Sequence, residues 1–173
     1  PGDGSQGTGI QVDGGSSLAA DYVRVSAARN RGLNCEGAGT VCKATHVYID
    51  STQVEQKSGE GGAAAAAAGG AALTLEQAWL QKNKTAGVLA HGAGTVVALN
   101  WVSIYDTAPA PATAANGFGV FVLAGASLSH TGGYVQGNAT TGVRVHGAGS
   151  TLFAAGVHVL GMKGAPDKSG GQG

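Results

Sequence analysis

A right-handed single-stranded parallel β-helix is the fold class this all-β sequence predicts, and three observations carry the prediction. Glycine supplies 32 of 173 residues, whereas charged residues are 12% and aromatic residues 5% of the chain. Five segments opening on glycine align with one another, and short alternating apolar pairs follow each segment. Glycine is costly inside helices, so this composition suits neither a helical bundle nor a doubly wound sheet. An apolar content of 43% argues equally against simple disorder.

The five segments are Gly9-Ile10-Gln11-Val12-Asp13-Gly14-Gly15, Gly32-Leu33-Asn34-Cys35-Glu36-Gly37-Ala38-Gly39, Gly87-Val88-Leu89-Ala90-His91-Gly92-Ala93-Gly94, Gly119-Val120-Phe121-Val122-Leu123-Ala124-Gly125-Ala126 and Gly142-Val143-Arg144-Val145-His146-Gly147-Ala148-Gly149. The step from Gly9 to Gly32 equals the step from Gly119 to Gly142, and this shared step sets the repeat. A unit of roughly 23 residues with three short alternating segments and glycine corners is what one solenoid coil requires. The longer interval from Gly32 to Gly87 holds one degenerate coil, Leu73-Thr74-Leu75 followed by Ala78-Trp79-Leu80, together with an insertion. The chain then reads as a single domain, 1–173, of about six coils with loop insertions at 51–72 and 106–117. The six-alanine run within the first insertion reads as a protrusion leaving the solenoid, with a short helix as the alternative.

Alternation assigns the faces of each coil. Residues i and i+2 share a side of a strand, so Ile10, Leu33, Val88, Val120 and Val143 form one inward column, and Val12, Cys35, Ala90, Val122 and Val145 a second. The corner glycines supply the positive φ of sharp turns. A leucine-rich repeat matches the period but lacks the asparagine ladder and leucine spacing. A barrel or sandwich calls for Asn-Gly or Asp-Gly hairpins, of which only Asn116-Gly117 qualifies.

Ten basic and ten acidic residues cancel without forming a basic patch, which excludes nucleic acid as an expected partner. Apolar runs fall short of the roughly 20 residues of a membrane-spanning helix. The opening at Pro1 and the Gly-rich tail read as a piece of a longer polypeptide. Cys35 and Cys42 lie seven positions apart, which suits a small disulfide loop in an oxidising compartment; two buried thiols are the alternative. Neither belongs to a zinc-ligand pair.

Catalysis on such a scaffold needs clustered carboxylates with a base. Asp13 and Glu36 share an outward column that continues with His91, Leu123 and His146. The two histidines are then separated by two steps of about 4.8 Å, too far for a shared ion. No Gly-x-Ser-x-Gly elbow is present. The reading is non-enzymatic, with no cofactor and no metal. Its competitor is a carbohydrate-active module, a polysaccharide lyase or hydrolase or a tailspike-like domain, with its catalytic coils outside this chain.

A binding surface is the stronger reading. On the outer side of the third strands one column reads Tyr22, His46, Trp79 and Trp101. Its neighbour reads Arg24, Tyr48, Gln81, Ser103, Tyr134 and His158. Exposed Tyr, Trp and Arg are enriched at binding hot spots; stacking ladders that merely stabilise the sheet are the alternative. Tyr22, Arg24, His46, Tyr48, Trp79, Trp101, Tyr134 and His158 are the protein-binding candidates. Asn83-Lys84-Thr85 and Asn138-Ala139-Thr140 match the glycosylation acceptor pattern and receive no role.

The glycine-started coils, above all 87–96 and 142–152, resemble the passenger domains of pertactin-like bacterial autotransporters of the Bordetella virulence type, over about residues 7–160. The resemblance implies display on a Gram-negative cell surface, or secretion, after export through an outer-membrane translocator barrel. It implies an adhesin, or a virulence factor that binds a host serum or cell-surface protein, such as a complement regulator, in immune evasion. No Arg-Gly-Asp tripeptide is present, and the translocator barrel lies outside this chain.

Overall fold

The computed structural model describes residues 7–55, 58–110 and 117–164. They form a parallel β-helix of six coils, each with three strand faces. The first face stacks β1 (Ile10–Val12), β4 (Arg31–Glu36), β7 (Ala63–Ala68), β10 (Ala86–His91), β13 (Phe118–Leu123) and β15 (Thr141–His146). The second stacks β2 (Ser17–Asp21), β5 (Val41–Thr45), β8 (Ala72–Glu76) and β11 (Val96–Asn100). The third stacks β3 (Arg24–Ser26), β6 (Tyr48–Asp50), β9 (Trp79–Gln81) and β12 (Ser103–Tyr105). In the last two coils the second and third faces run on as single long strands, β14 (Ser127–Gln136) and β16 (Thr151–Leu160). Every pairing between these strands is parallel.

The inward columns follow the expected register. Ile10 pairs with Leu33, Val88 with Val120 and Val120 with Val143; Val12 pairs with Cys35, Ala90 with Val122 and Val122 with Val145. Inward residues of all three faces, among them Leu33, Leu73 and Ile104, belong to one buried cluster, so the faces enclose a common core. Cys35 and Cys42 are joined in a buried disulfide that spans the first corner of the second coil.

The six-alanine run departs from expectation. It is neither protrusion nor helix but β7, paired on both sides, with Ala65 and Ala67 continuing the inward columns between Leu33 and Val88 and between Cys35 and Ala90. The first insertion therefore shrinks from 51–72 to 51–62. Neighbours on both sides supply the ladder hydrogen bonds, and burial overrides alanine's weak strand propensity. In the second insertion, Ala108 bridges Lys84 in parallel, so 106–110 still tracks the preceding coil; residues 111–116 lie outside the described residues.

The glycines that open the coils do not serve turns. A Cβ on Gly87 would lie 2.3 Å from Ile104 Cγ2 and 2.7 Å from the Gly119 carbonyl, so the requirement is a close approach inside the coil. The same holds for Gly9 against Val25, Gly32 against Ile49, Gly119 against Val135 and Gly142 against Val159. In the third coil the equivalent position is Ala64, and the third-face residue in register with Ile49 and Ile104 is Leu80. Glycine thus accompanies a β-branched partner, and alanine accompanies leucine.

Each junction between coils carries a hydrogen bond from a backbone amide to a side chain beyond the strand ladder. At the first corner, the amides of Gly15, Gly70 and Gly125 donate to the hydroxyls of Thr40, Thr95 and Ser150 on the next coil, each at 3.0 Å. At the turn after the third face, the amides of Thr52 and Thr107 donate to Asn83 Oδ1 and Asn138 Oδ1, both at 3.0 Å. Asn83 and Asn138 are fully buried, which removes them as glycan acceptors in the folded chain.

Candidate functional site

The outer side of the third face gathers all four tyrosines and both tryptophans of the chain. Alternation causes this: with Val47, Ile49, Ala78, Leu80, Val102 and Ile104 buried inside, the residues between and beside them face outward. One outward column runs Arg24, Tyr48, Trp79, Ser103, Tyr134, His158 along the six coils. At about 4.8 Å per step it extends some 24 Å.

Register corrects one assignment made from sequence. Trp79 pairs with Tyr48, not with His46, and therefore stands in the column of Arg24 and Tyr134. Gln77 takes the place expected of Trp79 beside Tyr22, His46 and Trp101. Gln81 pairs with Asp50 and Tyr105, one column further out. The degenerate coil carries Ala78 where its neighbours carry valine, which blurs the alignment. Tyr105 is a member of the face that the sequence reading misses, although alternation from the buried Ile104 already points it outward.

The edge column is conformationally distinct. Tyr22, His46, Gln77 and Trp101 hold φ values of 53°, 50°, 51° and 56°, and Gly132 and Gly156 follow at 68° and 63°. A left-handed backbone is costly for residues with a Cβ. Interstrand bonds impose it here: the amides of Tyr22, His46, Gln77 and Trp101 each donate to a carbonyl on the next coil, those of Thr45, Glu76, Asn100 and Thr131. This bend tips the four side chains onto the rim of the third face.

The rings are arranged in short stacks. Tyr22 stacks on His46 with centroids 4.5 Å apart and planes 11° from parallel, while His46 Nδ1 meets Asp21 Oδ1 at 2.7 Å. The Arg24 guanidinium lies 5.2 Å above the Tyr48 ring, whose hydroxyl accepts from Gln81 Nε2. Trp79 leans on Tyr105 at 5.0 Å, and Tyr134 stacks on His158 at 5.3 Å. Trp101 covers Gly132, where a Cβ would come within 2.7 Å of the indole. The stacks hold the side chains in place without covering them: Tyr22 is 78%, Trp101 68%, Trp79 47% and Tyr134 43% exposed.

Neither a family model nor a curated protein nor a solved structure matches the chain. The site is therefore read from its own residues. Among the described residues, no three of His, Cys, Asp and Glu converge in a way that could hold a metal ion. The remaining histidine of chemical interest, His130, is internal: it occupies the inward column after Leu75 and Leu99, fully buried, with Nε2 3.0 Å from the Val102 carbonyl. Burial holds its pKa below the ordinary histidine value, against the raising effect of backbone hydrogen bonds with Val102 and Gly132.

Proposed function

We propose that the chain is a non-enzymatic binding module whose third face grips a host protein. The observation that supports this is the gathering of all four tyrosines and both tryptophans on one outer face beside Arg24 and Asp50, with Tyr22, Trp79, Trp101 and Tyr134 exposed and most of the rings held in short stacks. Large rings with few rotatable bonds lose little conformational entropy on binding, and Tyr, Trp and Arg dominate interface energetics. A stiff solenoid adds preorganisation. The setting comes from the resemblance to pertactin-like autotransporter passengers: display on a Gram-negative surface through an outer-membrane barrel, as an adhesin or a captor of a serum protein such as a complement regulator.

The test is a serum pull-down with the immobilised chain beside a Trp79→Ala/Trp101→Ala/Tyr134→Ala variant, read by mass spectrometry. All three side chains are exposed, so the variant keeps its core. A protein retained by the parent and lost by the variant supports the reading. Equal retention by both moves the contact elsewhere, and retention by neither refutes capture from serum.

A further inference from the structure

A concave feature lies on the outer side of the first face, and the sequence explains its shape. The outward positions of β7 and β10 carry the short side chains of Ala63, Ala66 and Ala86, whereas β4 offers Arg31 and β13 offers Phe118 and Phe121. Leu89 packs on the three alanines, and the surface between Arg31 and the two phenylalanines is concave. Ser58–Gly61 of the first insertion and Ala110 of the second wall the depression into a cleft of about 420 Å³. That volume lies in the range of sites that enclose a small organic ligand.

We propose that this cleft binds a small apolar carboxylate, a free aryl or alkyl acid. Its floor is apolar, with Leu89, Phe118, Phe121 and Leu123 contributing. Its lining carries one guanidinium, Arg31, and one carboxylate, Glu60. Arg31 lines the cleft, spends Nη1 on a neutral acceptor, Asn34 Oδ1, at 2.8 Å, and makes no ion pair among the described residues. Its Nε is buried without an acceptor. Arg144 stands 5.2 Å from the Phe118 ring and 5.4 Å from the Phe121 ring, adding a second positive charge beside the floor. The acid that lines the cleft, Glu60, is exposed and beyond ion-pair distance of Arg31. A guanidinium at the edge of an apolar enclosure selects a carboxylate attached to an apolar body. A cleft of about 420 Å³ has the size of a compact free acid.

The experiment is titration calorimetry on the full chain with 4-phenylbutyrate and decanoate, and with the neutral 4-phenylbutyramide as control. The acids bind saturably, and the amide binds at least about tenfold more weakly because it lacks the charge-assisted contact. Arg31→Gln lowers acid affinity by a similar factor and leaves amide affinity unchanged. Ala86→Leu, which fills the floor, abolishes both. The acid-amide comparison uses the unaltered chain and decides the matter even where a variant does not fold. Equal binding of acid and amide, no saturation by either acid at millimolar concentration, or a peptide ending in phenylalanine binding more than tenfold tighter than the free acids would each overturn the proposal.

Discussion

Substituting Gly87 by alanine tests whether the glycines that open the coils are there for space. The added Cβ would sit 2.3 Å from Ile104 Cγ2 and 2.7 Å from the Gly119 carbonyl, and both neighbours belong to the packed interior. Overpacking of this kind costs about 1–3 kcal/mol. The backbone at Gly87 is not left-handed, so the smaller unfolded ensemble of alanine returns about 0.4–1 kcal/mol. A net loss of about 1–2 kcal/mol corresponds, for a chain of this length, to a melting temperature lower by about 2–8 °C. The third coil shows how alanine is tolerated, since Ala64 coexists there with Leu80, which has no branch at Cβ. Gly87→Ala combined with Ile104→Leu should therefore be more stable than the two single effects added together, by about 1 kcal/mol of coupling. Differential scanning fluorimetry on the four proteins of this cycle provides the measurement. A Gly87→Ala protein that melts with the parent, or a double variant that is merely additive, refutes the packing argument.

Three further outcomes are expected. Because burial lowers the His130 pKa in the folded state, the unfolded chain takes up the proton first; stability is intact above about pH 6.5 and is lost as the pH falls through the folded value. His130→Leu, which matches Leu75 and Leu99 in the same column, should flatten the fall in melting temperature between pH 7.5 and pH 5.5; an unchanged slope would show that other groups govern it. Asn83→Ala leaves the Thr52 amide without its acceptor and should cost about 1–3 kcal/mol by thermal melting, whereas a surface polar deletion costs well under that. Replacing both Cys35 and Cys42 by alanine opens a short loop and should lower stability by about 2.5 kcal/mol on the chain-entropy account, visible as a lower melting temperature than the parent kept oxidised.

The coil number and the inward columns were legible because each rests on period-2 alternation over several coils with a distinctive residue at each place, and the disulfide because Cys35 and Cys42 lie seven positions apart. Alanine defeated the same logic at 63–68, where inward and outward positions carry one residue type and periodicity vanishes. Only the pairing of β7 with Leu33 on one side and Val88 on the other decides it. The misplaced column at Trp79 has a related origin, since Ala78 gives a weak inward signal. The turn role of the corner glycines was legible, whereas the glycines that open the coils have partners across the coil interior, Val25 to Val159, that are remote in sequence, so their packing reason became visible only in three dimensions. The aromatic outer face was readable as a set of outward aromatic residues, but the left-handed backbone that lifts Tyr22, His46 and Trp101 onto its rim follows from interstrand bonding that residue type alone disfavours.

The amide-to-side-chain bonds at the coil corners fall on two edges of the solenoid in turn. Hydroxyls stitch coil 1 to 2, 3 to 4 and 5 to 6 at the first corner, and asparagines stitch 2 to 3 and 4 to 5 at the far turn. The step from Thr40 to Thr95 is the same as that from Thr95 to Ser150, from Thr52 to Thr107 and from Asn83 to Asn138, and it spans two coils. The material unit of this rod is thus a pair of coils. Backbone bonds close both edges of each junction, as the Gly37 amide to the Ala68 carbonyl and the Lys84 amide to the Thr52 carbonyl do between coils 2 and 3, and the side-chain stitch reinforces one edge of each junction in turn. Lengthening or shortening the rod by a coil pair preserves the alternation, whereas a change of one coil sets two identical stitches in succession and reinforces the same edge twice running.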